Sequence, residues 1–443
     1  MIVFYQILAF TIVLGIIVFV HELGDYLAAR LMKVRVEVFS FGMGKRLFGK
    51  KIGHTDFRLS LIPLGGFIRM AGDEEYDPDN LKTYEFQSKN RAQKIFILFM
   101  GPAMNILLSF LILTSINIGG VETEQYKFEP PRIGFVEKDS PAQEAGIIKG
   151  DLILEINKNK IEDWKELEIT IGSNPNDKLD VVLERNGKQY HTLLEVGTRS
   201  QYSIGYAGFY WKHKTEIRSI TENYPAQRSG LKKGDVIMAI NRKEINYFEI
   251  GKIIAGNPGN TLVFSVQRDN KITDIEITPE KTQNRGVIGV EMIPHSPVLT
   301  IHYGFFESMK NSIDELTNLT FLTFNAIKKM MIGKLSPKNL SGPIEIAKFS
   351  QKAMESGLSN FLILIAFISL QLGIINLFPI PALDGGHLMI YSIEAVIRKE
   401  FSVKVKSILI NIGFFILIAL MLFVILNDVA KVLPNGWKSF IPF

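Results

Sequence analysis

The sequence predicts a membrane α-helical bundle of four transmembrane helices, with a juxtamembrane β region and a small α+β domain present twice. Three observations carry this reading. The 443-residue chain is 47% hydrophobic and has a positive mean hydropathy, which sets it apart from an ordinary soluble domain. Residues 1–20, 95–120, 356–383 and 407–427 contain no Asp, Glu, Lys or Arg, and a helix that crosses a bilayer needs about 20 apolar residues. Between the second and third of these stretches, one sequence pattern recurs after 84 residues.

The first span, 1–30, runs uncharged as far as His21-Glu22-Leu23-Gly24-Asp25. It has no basic n-region and no convincing cleavage site, so it reads as an uncleaved helix and not as a signal sequence. Ionisable groups inside an apolar span are costly in lipid and mark a functional site by default. The pentad is one residue away from H-E-x-x-H, in which two imidazoles one turn apart hold zinc and the glutamate takes a proton from water. Asp25 stands where that motif has its second histidine. Taken alone, His21-Glu22 is equally readable as a helix-end cap at the membrane interface.

Residues 31–94 alternate instead of running apolar, as in Val34-Arg35-Val36-Glu37-Val38 and Phe57 to Arg69, which suggests strands and tight turns beside the membrane. An acidic loop, Asp73 to Asn80, follows. Gly44 to Lys51 is a chance match to a phosphate-binding loop, with Lys51 where Ser or Thr is required. Thirteen Lys or Arg lie between Arg30 and Lys94, and Arg398, Lys399, Lys404 and Lys406 lie in the predicted loop 387–406. Both basic segments are therefore expected on the cytoplasmic side, with the termini and the long middle region outside. These segments also account for the net charge of +5, so the charge makes no case for nucleic-acid binding. The absence of cysteine excludes structural disulfides.

The second span is 95–120. Beyond it, Pro141-Ala142-Gln143, Gly146, Lys149-Gly150-Asp151 and Ile156-Asn157 return as Pro225-Ala226-Gln227, Gly230, Lys233-Gly234-Asp235 and Ile240-Asn241. A period of this length suits two copies of a small domain. Residues 127–200 and 203–290 each resemble a PDZ domain, a module that captures peptides by strand addition. In 300–355, Phe305, Phe306, Met309, Ile313, Leu316 and Leu319 recur at helical spacing, which predicts amphipathic helices lying on the bundle or on the membrane surface.

The third span, 356–386, contains Asn376-Leu377-Phe378-Pro379-Ile380-Pro381-Ala382-Leu383-Asp384-Gly385. Two prolines break a helix, and broken backbone at membrane depth persists only where protein or a water-filled cavity covers it. Asp384 is then a candidate third zinc ligand, leaving water in the fourth position. His387 reads as a neighbour of such a centre and not as a ligand, and Asn105 as an interhelical hydrogen-bond partner. The fourth span is 407–430.

These features together resemble the site-2 protease family of intramembrane zinc metalloproteases, most closely its bacterial RseP-type members. The family pattern pairs H-E-x-G-H on the first span with N-x-x-P-x-P-x-L-D-G on the third. Pro63 to Phe67, Gly101 to Asn105 and Ser341-Gly342-Pro343-Ile344 are similar as well, and the likeness covers essentially the whole chain in order. The resemblance implies that His21 and Asp384 bind zinc (Zn2+), with Asp25 in the remaining ligand position, and that Glu22 is the general base and later the proton donor. It implies that Asn376 and the Gly65, Gly66 and Phe67 edge hold an unwound substrate strand. It also implies a bacterial inner-membrane enzyme with its PDZ-like domains and termini in the periplasm and its active site near the cytoplasmic side. The implied substrates are single-span membrane proteins: an anti-sigma factor and leftover signal peptides. Asp25 departs from the pattern. With Asp384 it adds a second negative charge, which weakens the Lewis acid and raises the pKa of water bound there. The alternative reading is a catalytically inactive membrane PDZ scaffold; an ion carrier would need repeated halves among the spans, and none is present.

Overall fold

The computed structural model describes residues 2–72, 80–199 and 204–433. Asp73 to Asp79 of the acidic loop and the junction of the two repeats at 200–203 lie outside the described residues. The chain divides into two compact units. One comprises Met1–Gly120, His302–Met331 and Ser336–Phe443, and the other Val121–Ile301 with Ile332–Leu335.

In the first unit, α1 (Ile2–Leu31) leads into a long hairpin of β1 (Val36–Ile52) and β2 (Thr55–Met70). The hairpin folds back on itself: Val38 to Phe41 is paired on both sides, with Arg69 to Gly66 and with Asp56 to Leu59. Gly42 permits the bend, because its φ is +86° and a Cβ there would lie 2.6 Å from the Ile62 carbonyl oxygen. Ala28 and Ala29 of α1, Val34, Val36 and Met70 form a buried cluster with Ile97 and Tyr391.

Asn90 and Gln93 form a capping box that opens α2 (Arg91–Gly119). Later in the chain come α3 (Phe305–Met331), α4 (Pro343–Glu355), α5 (Leu358–Asn376), α6 (Asp384–Ile397) and α7 (Val403–Val432). Four stretches, Val3–Leu31, Arg91–Gly119, Leu358–Asn376 and Lys404–Lys431, are long and apolar enough to cross a membrane. Small polar residues join α2 to α5: Ser109 donates to the Ala366 carbonyl at 2.7 Å, and Ser369 donates to that of Asn105 at 2.8 Å. In a medium as apolar as the side chains, such bonds and close backbone approach hold helices together better than apolar burial does.

Two findings refine the expectations. Residues 387–397 are not loop but the body of α6; the Asp-Gly-Gly that reads as a turn starts a helix of 14 residues, too short to stand out as a span. On α3, Phe306 is 84% and Phe321 68% exposed, whereas Met309, Leu316 and Leu319 are half-buried, so the apolar face of this helix is only partly packed on the described protein. Near its C-terminus, α7 grips the start of α4: the buried Asp428 carboxylate accepts the N–H groups of Gly342, Ile344 and Glu345 at 2.8–3.0 Å.

The second unit contains the repeat. Strands Leu152–Ile156, Lys178–Arg185 and Lys188–Glu195 with helix Trp164–Gly172 correspond to strands Val236–Ile240, Leu262–Arg268 and Lys271–Ile277 with helix Tyr247–Ala255. Each copy has its own core, around Trp164, Leu167 and Leu183 in the first and Ile250, Phe264 and Ile277 in the second. The recurring Lys-Gly-Asp places a buried aspartate against an arginine of the next strand. Asp151 meets Arg185 and Asp235 meets Arg268, both at 2.7 Å through Nε.

Candidate metal centre

His21 and Asp25 are one turn apart on α1, so both side chains leave the same face, and both are only 8% exposed. Asp384 arrives from 363 residues away because the backbone breaks after α5 and restarts at α6. Gly385 and Gly386 make that restart possible: a Cβ on either would lie 2.3 Å from a carbonyl oxygen of the broken segment, those of Phe378 and Ile380 respectively. Asp384 Oδ2 then sits 3.2 Å from His21 Nε2, and Asp25 Oδ2 lies 3.7 Å from the same nitrogen.

Ligands about 2.0–2.1 Å from a tetrahedral zinc are roughly 3.3 Å from one another. The His21–Asp384 separation matches this value and the His21–Asp25 separation exceeds it. Asp25 is drawn elsewhere, since its Oδ1 accepts the Gly101 N–H at 2.9 Å. Among the described residues no three His, Cys, Asp or Glu close around a common point. The donor set of one imidazole and two carboxylates nevertheless suits zinc in kind, with Asp25 as the loosest member.

The neighbours of this cluster are not evident from local sequence pattern. A Cβ on Gly101 would lie 2.7 Å from both Asp25 Oδ1 and His21 Nε2, so α2 approaches the pair only because this residue is glycine. The fully buried Asn105 amide lies 3.4 Å from His21 Nδ1. Amide oxygen and nitrogen are interchanged by a half-turn. With Oδ1 facing the ring, Nδ1 keeps its proton and the Nε2 lone pair is left for a metal. Asn105 is thus an interhelical partner that accepts its hydrogen bond from the imidazole itself. The available sequence signal was Gly101-Pro102 and Asn105 inside an otherwise apolar span.

Glu22 turns from α1 toward the hairpin and faces the backbone of Ile68. Gly66 lies against it: a Cβ there would be 3.3 Å from Glu22 Cγ and 2.9 Å from the Ser40 carbonyl oxygen. Gly65 adopts φ +89°, a conformation suited to glycine. Phe67 follows, its ring 5.2 Å beneath the Arg58 guanidinium. Gly66 to Met70 pairs with β1 along one edge; the other edge carries no strand among the described residues. Asn376 is the last residue of α5, half-buried, at the lip of the break.

The family model for peptidase family M50 matches residues 9–420, a range that contains every residue of this cluster. The chain belongs to peptidase family M50. Among its M50 relatives, the regulator of sigma E protease of Haemophilus influenzae is 32% identical, over 95% of this chain and 97% of its own. The regulator of sigma-E protease RseP of Escherichia coli is 27% identical, over 96% and 99%. A Pasteurella multocida protein whose name assigns it to the zinc metalloproteases is 32% identical, over 95% and 97%. A solved PDZ domain of an SdrC-like protein from Listeria monocytogenes covers 18% of the M50 chain at 22% identity, with a TM-score of 0.17; a likeness that slight carries no argument.

Proposed function

We propose that this M50 chain is an intramembrane zinc metalloprotease of the bacterial inner membrane that cuts single-span membrane proteins. The observation that carries the proposal is the approach of Asp384 Oδ2 to within 3.2 Å of His21 Nε2, across 363 residues of chain, beside Glu22. His21, Asp384 and Asp25 would hold the metal. Bound zinc supplies Lewis-acid polarisation of a peptide carbonyl and of water. The chain's own residues do the rest. Glu22, adjacent to His21, takes the proton of the attacking water on its carboxylate and returns it to the leaving amine. Asn105 orients the imidazole. A helix must unwind before its peptide bond can be reached, and the open edge at Gly66 to Ile68 offers the unwound segment a strand to pair with. Asn376, at the end of α5 where the helix breaks, would hold the same segment.

The relatives' names speak of sigma-E regulation, which favours an anti-sigma factor as substrate here, with signal-peptide remnants as a second group. Orientation follows the basic segments: active site toward the cytoplasm, termini and the two PDZ-like repeats in the periplasm. The repeats filter substrates by the size of their outer domain.

A second reading has its own observation. Asp25 is tied to Gly101 and stands away from His21, which favours a scaffold that has lost its metal. One comparison separates the two: zinc per chain in the purified protein beside Asp25→His, together with cleavage of a truncated single-span substrate. The protease reading expects zinc in both, tighter and with faster cleavage in Asp25→His, and retention of zinc without turnover once Glu22→Gln is added. A chain without zinc that stays inert as Asp25→His leaves only the scaffold.

A further inference from the structure

We propose that the membrane-proximal hairpin carries a binding site for a phosphate group, separate from the metal centre. A cleft of about 430 Å³ opens between β1 and β2, lined by Arg35, Lys51, Arg58 and Arg69 together with Glu37 and Asp56. With Arg46, which pairs with Asp56 from beside the cleft, five cations against two carboxylates leave three positive charges in excess. Both carboxylates are already engaged: Glu37 pairs with Arg69 at 3.3 Å, and Asp56 with Arg46 at 3.1 Å. Arg35, Lys51 and Arg58 have no carboxylate partner among the described residues, so the excess is concentrated on them.

Two of these side chains are also held in place. The Arg35 guanidinium lies 3.9 Å above the Tyr84 ring and that of Arg58 lies 5.2 Å above Phe67. A guanidinium stacked on a ring loses its rotational freedom but keeps its N–H edge for an in-plane acceptor. Arg58 Nε is buried without a hydrogen-bond partner. A buried unmet donor costs roughly 1–3 kcal/mol, and a phosphate oxygen satisfies a guanidinium fork better than any neutral group. The exposed His54 also lines the cleft and adds a further donor. The cleft begins at Arg35, four residues after the end of α1, a helix apolar enough to cross a membrane. The phosphate is thus either a lipid headgroup at that level or a free phosphate.

The test uses the full-length protein in neutral detergent without phosphate buffer. Native mass spectrometry would compare adducts of dioctanoyl phosphatidylglycerol with those of dioctanoyl phosphatidylcholine, with and without added inorganic phosphate. Phosphatidylglycerol retained over phosphatidylcholine, and weakened about tenfold by Arg58→Gln, supports the site and assigns it to lipid. Displacement of that adduct by inorganic phosphate, with the same dependence on Arg58, supports the site and assigns it to free phosphate. Arg58 packs on Phe67, so the exposed Lys51→Gln is the second variant, whose fold does not rely on the substituted side chain. Wild type, Arg58→Gln and Lys51→Gln binding phosphatidylglycerol and phosphate equally, or not at all, would overturn the proposal.

Discussion

Gly101 is the residue on which the candidate centre turns, although it contributes no ligand. Its missing side chain lets α2 come within reach of His21 and Asp25, and its N–H holds one oxygen of Asp25. Gly101→Ala would place a carbon 2.7 Å from His21 Nε2, and neither helix can withdraw without opening the α1–α2 contact. We expect a cost of about 1–3 kcal/mol in stability and a loss of most bound zinc, read by metal analysis of the purified protein. Unchanged zinc would mean that α1 moves freely against α2. At this scale His21, Glu22, Asp25 and Asp384 were legible in sequence because a charge inside an apolar stretch is costly and therefore conspicuous. The part played by Gly101 was not, and Asn105 was legible only as an interhelical hydrogen-bond partner, because neither residue discloses what it touches until the neighbouring backbone is known.

Among the elements, the grip of α7 on α4 invites a direct test. Asp428 satisfies three N–H groups at the start of α4, a helix whose own N-cap, Gly342, supplies no side chain. Asp428→Ala should cost about 1–3 kcal/mol and expose the 332–342 segment to protease, while Asp428→Asn, which keeps one acceptor oxygen, should cost less. Equal proteolysis rates for all three forms would show that the loop is held by other contacts. In the second repeat, burial pushes the Asp235 carboxyl up, but the Arg268 guanidinium and the Lys232 N–H outweigh it and hold it below the usual carboxylate range. A carboxyl depressed in the folded state adds stability that is fully present above the unfolded value and is lost as pH falls through the folded one. The repeat should therefore lose stability below about pH 4, and Arg268→Gln should shrink that acid-dependent component. Thermal melts at pH 3 and pH 6 check both points.

For the whole molecule, the proposed arrangement separates chemistry from selection. The candidate centre belongs entirely to the first unit and the repeats to the second, so removing 127–290 and joining the ends with a flexible linker should spare the chemistry. In the Asp25→His background, such a deletion should leave cleavage of a short substrate intact and also admit substrates whose bulky outer domain has not been trimmed. If discrimination between intact and truncated substrates survives the deletion, the repeats bind peptides or act as scaffold and do not filter by size.

Composition and spacing alone were enough for the apolar spans, the polar interruptions within them and the 84-residue repeat, since each is a local pattern whose physical penalty or periodicity can be read along the chain. They could not supply the fold-back of the β1–β2 hairpin, the helix at Asp384–Ile397, the exposed aromatic side chains of α3 or the basic cleft around Arg58. Each of these depends on which distant backbone comes close. Asp384 shows the division most clearly. It stands out in sequence as a carboxylate beside two prolines in an apolar segment, but its place 3.2 Å from His21 arises only when glycines at 101, 385 and 386 let three backbones meet.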